Sequence, residues 1–202
     1  MSLVVSAPVA EPSKAARERA KVLLGRALGP SKVLADPDAC ERFATDDSGS
    51  DGRVPDAVVL AETAEDISRT LAAAREAGVP VTPRAAGTGR TGGATAVLGG
   101  IVLSLASMNR IRHVDRRERI AIVEPGVVLS TLHAAAEAEG LFYPPDPNSL
   151  ASCMLGGNLA ENAGGPRAFK YGVTRDYVLG IDAFLMGGQR IFSGRRTTKG
   201  VT

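Results

Sequence analysis

Tryptophan is absent from this 202-residue chain, and the other aromatic rings amount to five Phe and three Tyr. A core without large rings has to be assembled from Val, Leu, Ile and Ala. Cysteine is nearly absent as well. Cys40 and Cys153 lie far apart with no ligand spacing, so neither a disulfide framework nor a zinc cluster is written into the chain. They read as two idle thiols in a reducing compartment. The two histidines, His113 and His133, have no Asp, Glu or Cys at ligand spacing, which argues against a metal centre. There is no G-x-S-x-G nucleophile elbow, and Cys153 has no basic partner close in sequence. Long apolar runs are missing too. The opening "MSLVVSAPVAEPSKAARERAK" has one short apolar run and no leading positive charge, unlike a signal peptide or a spanning helix. A cytoplasmic location is the expectation, at most peripheral to a membrane. Finally, a formal charge of +2 is too small to imply a nucleic-acid partner.

What is present in excess is glycine, 23 residues against roughly 14 expected from average usage. With 44% hydrophobic residues the chain is a folding sequence, so clustered glycine points to loops with a task. Residues 13–28 read as a helix capped by Ser13, and "PDACERFATD" as a short one. "DDSGSDGRVP", 46–55, reads as a polar linker. A strand at 57–61 is followed by a helix with a Thr63–Asp66 capping box and a stop at Gly78, with Ile67, Leu71 and Ala74 on its buried face. "VPVTP", 79–83, then reads as a strand parallel to the first, and "GIVLSL", 100–105, as a third. Two strands at 111–114 and 119–124, a helix at 129–140 and a hairpin turning at Met186–Gln189 complete the pattern. Between them, "LFYPPDPNSLASCMLGGNLAENAGGPRAFKYG" shows no period, and so long an irregular stretch inside a compact domain calls for a function.

The segment "RAAGTGRTGG", 84–93, begins where a predicted strand ends. Its glycines, Gly87, Gly89, Gly92 and Gly93, permit positive φ and close approach of a ligand to the main chain. Successive N–H groups in such a turn bind anions, and the Thr88 and Thr91 hydroxyls add donors. Gly92-Gly93 is followed by Ala94, so this is not a P-loop. Gly87, Gly89 and Gly92 have G-x-G-x-x-G spacing, but a strand follows where the dinucleotide fingerprint needs a helix. On spacing alone an anion cradle and a mobile surface loop both stand. From Cys153 onward seven basic residues (Arg167, Lys170, Arg175, Arg190, Arg195, Arg196, Lys199) outnumber three acids, which suits an anionic ligand or a solvated face. In the second loop-rich region, Pro144-Pro145 stiffens the approach to Asp146, and Gly156-Gly157 and Gly164-Gly165 flank Asn158 and Asn162. Backbone and amide groups in that mixture suit a heterocycle. A surface excursion held by Asx turns is the alternative.

In this order, "VPVTPRAAGTGRTGGA", "GGIVLSLASMNRI", "VEPGV", "GLFYPPDP", "GGNLAENAGG" and "KYGVTRD" resemble the FAD-linked oxidases of the vanillyl-alcohol oxidase and p-cresol methylhydroxylase type. The glycolate oxidase flavoprotein subunit and D-lactate dehydrogenase are the nearest in character. The resemblance implies an α+β fold. Its FAD-binding domain would have a small parallel α/β subdomain (54–105), then a mixed or antiparallel subdomain (106–202), after an N-terminal helical segment and linker (1–53). It implies that Arg84, Gly87, Thr88, Gly89, Arg90, Thr91, Gly92 and Gly93 wrap the FAD pyrophosphate and that Pro145 and Asp146 lie near the cofactor. Gly156, Gly157, Asn158, Asn162, Ala163 and Gly164 would line the flavin end, with Gly172, Val173 and Asp176 continuing that wall. Ala85 and Arg90-Thr91 depart from the family's usual Gly and Leu-Ser. No histidine stands in the first loop, so the FAD is expected to be non-covalent. Such proteins oxidise small 2-hydroxy acids such as glycolate or D-lactate and pass electrons to a partner or oxygen. The chain resembles a truncated member, incomplete in its second subdomain and without the substrate domain. Catalytic residues are then expected beyond Thr202, and exposed edges suggest a homodimer or a non-catalytic module.

Overall fold

Two helix caps set the first layer. In the computed structural model, which describes residues 11–194, the Ser13 hydroxyl accepts from Ala16 N–H and starts α1 (Lys14–Leu28). Thr63 and Asp66 form the reciprocal capping box of α3 (Ala64–Ala77), which ends on left-handed Gly78. Between them lie the short strand β1 (Val33–Leu34), the single-turn helix α2 (Pro37–Glu41) and strand β2 (Ala57–Leu60). Arg195, Arg196, Lys199 and the apolar run within residues 1–10 lie outside the described residues.

Strands β3 (Val81–Arg84) and β4 (Ile101–Ser104) complete a four-stranded sheet in the order β1-β2-β4-β3. β4 is parallel to both β2 and β3, and β1 adds antiparallel to β2. β3 is parallel to β2, as its crossover helix requires, but the two are not neighbours. β4, buried along its whole length, takes the centre between them. β3 carries Pro83, which has no N–H to give a ladder, and so occupies the edge.

The period of two sorts the side chains. Ala57, Val59, Ile101 and Leu103 face α1 and α3, burying Ala20, Leu24, Ile67, Leu71 and Ala74. Val58 and Val102 face the other way onto Cys40, Ala96, Leu34 and Phe43. Each fully buried aliphatic side chain is worth about 1.5–3 kcal/mol. Residues 14–34 thus share one core with residues 57–103.

A second core forms around the hairpin β5 (Ile111–Asp115) and β6 (Ile120–Val123) and helix α4 (Leu129–Ala138). Its centre is Val127, Leu129, Leu132 and Cys153. The aperiodic stretch after it holds two short helices, α5 (Leu155–Ala160) and α6 (Ala168–Tyr171). Neither is long enough to show a 3.6 period. Two backbone bonds from outside seat α5: Leu155 N–H to Val127 C=O and Gly156 N–H to Pro125 C=O, 2.9 and 2.8 Å. A final hairpin, β7 (Gly180–Phe184) and β8 (Arg190–Gly194), docks its turn on α3, where Ser68 Oγ donates to Gly188 C=O at 2.6 Å. Among the described residues no helix is long and apolar enough to cross a membrane.

Candidate functional site

From Ala85 to Gly93, just past β3, no backbone N–H donates a hydrogen bond to a described residue, although Ala85 through Gly89 are half-buried. Arg90, Thr91 and Gly93 are exposed and the other residues half-buried, so these donors are open to a partner from outside the chain, solvent or ligand. The carbonyls behave differently. Gly87 C=O accepts from Asp47 N–H, and Gly92 C=O from Thr95 N–H, both at 3.1 Å. Two carbonyls are thus tied to neighbouring backbone, while the N–H groups have no partner among the described residues. Gly87 and Gly92 achieve this at φ +77° and +80°, where side chains are strained. At Gly89 a Cβ would meet no protein atom within 4 Å, so the loop is open on that side.

Arg84 lies beneath the loop, 9% exposed. Its guanidinium donates to Ala94 C=O at 3.2 Å and sits directly under Gly87, where a Cβ would strike it. Burial pushes its pKa down and the charges of Asp46 and Asp47 oppose that shift; the group stays a cation. Among the described residues no carboxylate pairs with it within 4 Å. Arg84 thus brings a buried positive charge to the loop, with Asp46 and Asp47 near enough to act on it.

The polar linker turns out to be one wall of this loop. Asp46 Oδ2 accepts from Ala94 N–H (3.2 Å) and its Oδ1 from Ser48 N–H (3.0 Å). Burial raises the Asp46 pKa, but hydrogen bonds from Ser48 and Ala94 outweigh it and hold the carboxyl below its ordinary value. Ser50 Oγ stands 3.1 Å from where a Gly92 Cβ would be. Nearby, Thr95 is buried beside Asp46. The spacing D-x-S-x-S, typical of side chains bonding their own turn, was the one signal in this stretch.

The second glycine segment meets the first. A Cβ at Gly157 would stand 3.7 Å from Ala85 Cβ, and Thr91 Oγ1 donates to Glu161 Oε2 at 2.8 Å. α5 is held there through Glu124. That side chain, 3% exposed, accepts from the guanidinium groups of Arg110 and Arg112 and from Arg110 N–H. Hydrogen bonding to Arg110 leads in pulling its pKa down to about 2. The next residue, Pro125, accepts the Gly156 N–H and leaves no room for a side chain at Gly156.

Each asparagine amide is engaged within the chain through one of its two ends, Asn158 through Nδ2 and Asn162 through Oδ1. Asn158 is buried, with Nδ2 3.5 Å from Cys153 Sγ, and its C=O accepts from Ala163 N–H. Asn162, at φ +52°, accepts from Arg175 N–H through Oδ1. Asp146 N–H donates to Gly164 C=O at 3.0 Å, and its carboxylate pairs with Arg167 at 3.1 Å. Pro145 C=O lies 2.9 Å from His133 Nε2. Gly164 lies against Val173, and Thr174 bonds Ala163 C=O through both N–H and hydroxyl. Asp176, exposed, accepts from Val173 N–H and lies beside Gly172, at φ +86°. Pro145, Asp146, Ala163, Gly164, Gly172, Val173 and Asp176 thus form one cluster, and α5 links it to the 84–93 loop. Arg90 is exposed. A separate hollow of about 310 Å³ on the β5–β6 hairpin, lined by His113, Asp115, Glu118, Ile120 and Ile122, holds none of these residues.

A partly exposed row of N–H groups with no partner among the described residues, beside a buried cation, accommodates a ligand bearing adjacent negative charges, and a Cβ at Gly87 would displace that cation. A diphosphate fits that donor set. Residues 55–193 match the protein family described as "FAD binding domain". The chain is 44% identical over 148 residues to glycolate oxidase subunit GlcD of Bacillus subtilis, covering 73% of this chain and 32% of that protein. It is 38% identical over 173 residues to a D-lactate dehydrogenase of Anaerostipes hadrus, covering 85% and 36%. The structure of p-cresol methylhydroxylase with substrate bound superposes with a TM-score of 0.76 at 23% identity, over 90% of this chain and 36% of that one. The chain spans about a third of the length of the curated relatives it matches.

Proposed function

This chain belongs to the FAD-binding oxidoreductases of the vanillyl-alcohol oxidase and p-cresol methylhydroxylase superfamily, related to glycolate oxidase and D-lactate dehydrogenase, and on that premise we propose that it holds FAD for oxidation of a small 2-hydroxy acid. The cofactor is FAD, bound without covalent attachment. The observation that carries the site reading is the run of N–H groups from Ala85 to Gly93 with no partner among the described residues, next to buried Arg84.

In this reading Gly87, Thr88, Gly89, Thr91 and Gly92 donate main-chain N–H groups to the diphosphate, and Arg84 supplies positive charge from below. Arg90 and Gly93 border the mouth. Gly156, Gly157, Asn158, Asn162, Ala163 and Gly164 form the wall beside the ring system, extended by Gly172, Val173 and Asp176, with Pro145 and Asp146 at its edge. The asparagines shape this wall through Asn158 Nδ2 and Asn162 Oδ1, which are bonded within the chain, and leave Asn158 Oδ1 and Asn162 Nδ2 to meet the ligand. Bound FAD supplies hydride acceptance; the protein orients it and excludes water. Asp146, paired with Arg167, is a structural carboxylate rather than a base.

The alternative reading is a module that binds FAD without turnover. One experiment separates the two. The purified protein is expected to retain or take up FAD with a flavin absorbance band. Anaerobic bleaching of that band by glycolate or D-lactate supports the oxidase reading, and a stable band supports the module. Folded, colourless protein that ignores added FAD overturns both.

A further inference from the structure

The contact that joins the two glycine segments also sets a carboxylate against an anion site. Glu161 Oε2 takes the Thr91 hydroxyl at 2.8 Å, and Oε1 lies 2.7 Å from where a Gly93 Cβ would stand, so bare Gly93 lets the carboxylate in. Thr91 is one of the loop's two hydroxyl donors, and its neighbours' N–H groups, Arg90 through Gly93, have no partner among the described residues. Glu161 itself is exposed at the end of α5 and bonds through its side chain to Thr91.

Resting on the reading of 85–93 as the diphosphate cradle, we propose that Glu161 is a resident competitor of the cofactor's diphosphate. It occupies the Thr91 hydroxyl, and its charge opposes a second anion in the same loop. The device weakens FAD binding and speeds its exchange. A carboxylate has no structural need to be negative to accept one hydroxyl bond, because a neutral amide oxygen also accepts it, more weakly but in the same geometry. The charge is therefore separable from the tie between the segments. Like charges sharing one exposed loop repel enough for a several-fold change in affinity, and salt screens the effect.

The test is a charge series on the full chain, titrated with FAD and with riboflavin, which lacks the diphosphate. Glu161→Gln should bind FAD about threefold to tenfold tighter than wild type and Glu161→Lys tighter still, with riboflavin unchanged. At about 1 M salt, where the Debye length is near 3 Å, the gain should shrink. A flat series, a weaker Gln variant, or an equal gain for riboflavin overturns the inference. If wild type takes up no measurable FAD, binding that appears in the Lys variant supports it and continued absence overturns it. Gly87→Val keeps the two ideas apart. If it binds FAD as wild type does, the cradle reading itself fails; if it loses FAD while the Glu161 series is flat, only the competitor role fails.

Discussion

Gly87→Val tests the cradle most directly. A valine there must adopt φ +77°, which costs an L-residue about 1–2 kcal/mol. Its Cβ would also enter the space of the Arg84 guanidinium. Arg84 is buried and bonded to Ala94 C=O at 3.2 Å, and breaking a charge-assisted bond costs about 1.5–3 kcal/mol. Keeping the native loop would thus cost roughly 3–5 kcal/mol, so the loop rearranges and the arrangement of its N–H groups is lost. Losing two charge-assisted bonds to the diphosphate, about 3–6 kcal/mol, raises the Kd for FAD by roughly two to four orders of magnitude. The assay is flavin fluorescence during titration of the apo protein, with circular dichroism confirming the helices. Gly140→Val is the control. It imposes the same strain at φ +70° with no atom within 4 Å, and its FAD affinity should be unchanged. Folded Gly87→Val protein with a Kd within about threefold of wild type would refute the reasoning.

Two further predictions concern the frame around the site. Glu124 has a folded pKa of about 2 against 4.5 for the free group, so its ion pairs stabilise the protein above pH 4.5 and are lost as pH falls toward 2. Because Arg110 and Arg112 are 65% and 56% exposed, solvent reduces that contribution to about 1–2 kcal/mol. Urea melts of Glu124→Gln should show this deficit at pH 7 and none near pH 2; a deficit independent of pH contradicts the assignment. Ser68→Ala removes the hydroxyl that holds the β7–β8 turn on α3, worth about 1 kcal/mol. Amide exchange in residues 181–193 should quicken about fivefold with α3 unaffected, and unchanged protection would mean that other contacts dock the hairpin.

Local chemistry was legible where it acts over a few residues. The Thr63–Asp66 capping box, the Ser13 cap and the glycine turn at 187–188 are short-range devices, and each stands where its residue types predict. Three features needed the folded chain. β4 entered between β2 and β3 because full burial selects the central place, which periodicity cannot rank. The 46–50 segment, polar and apparently a linker, became a wall of the cradle by bonding Gly87 and Ala94, some forty residues on. Helix α5 formed on bonds from Pro125 and Val127, not from its own glycine-containing sequence.

The chain's order of residues decided which segments are helix, strand and turn, and which backbone is free of side chains, because capping, φ preference and periodicity are properties of neighbours. Only the tertiary structure decided that Gly157 abuts Ala85, that Glu161 reaches Thr91 and that Arg84 lies buried under Gly87, next to N–H groups with no partner among the described residues. Those are contacts between segments distant in sequence or between a side chain and the open side of a turn. They exist because two separate apolar cores, once packed, hold the glycine loops at a fixed separation.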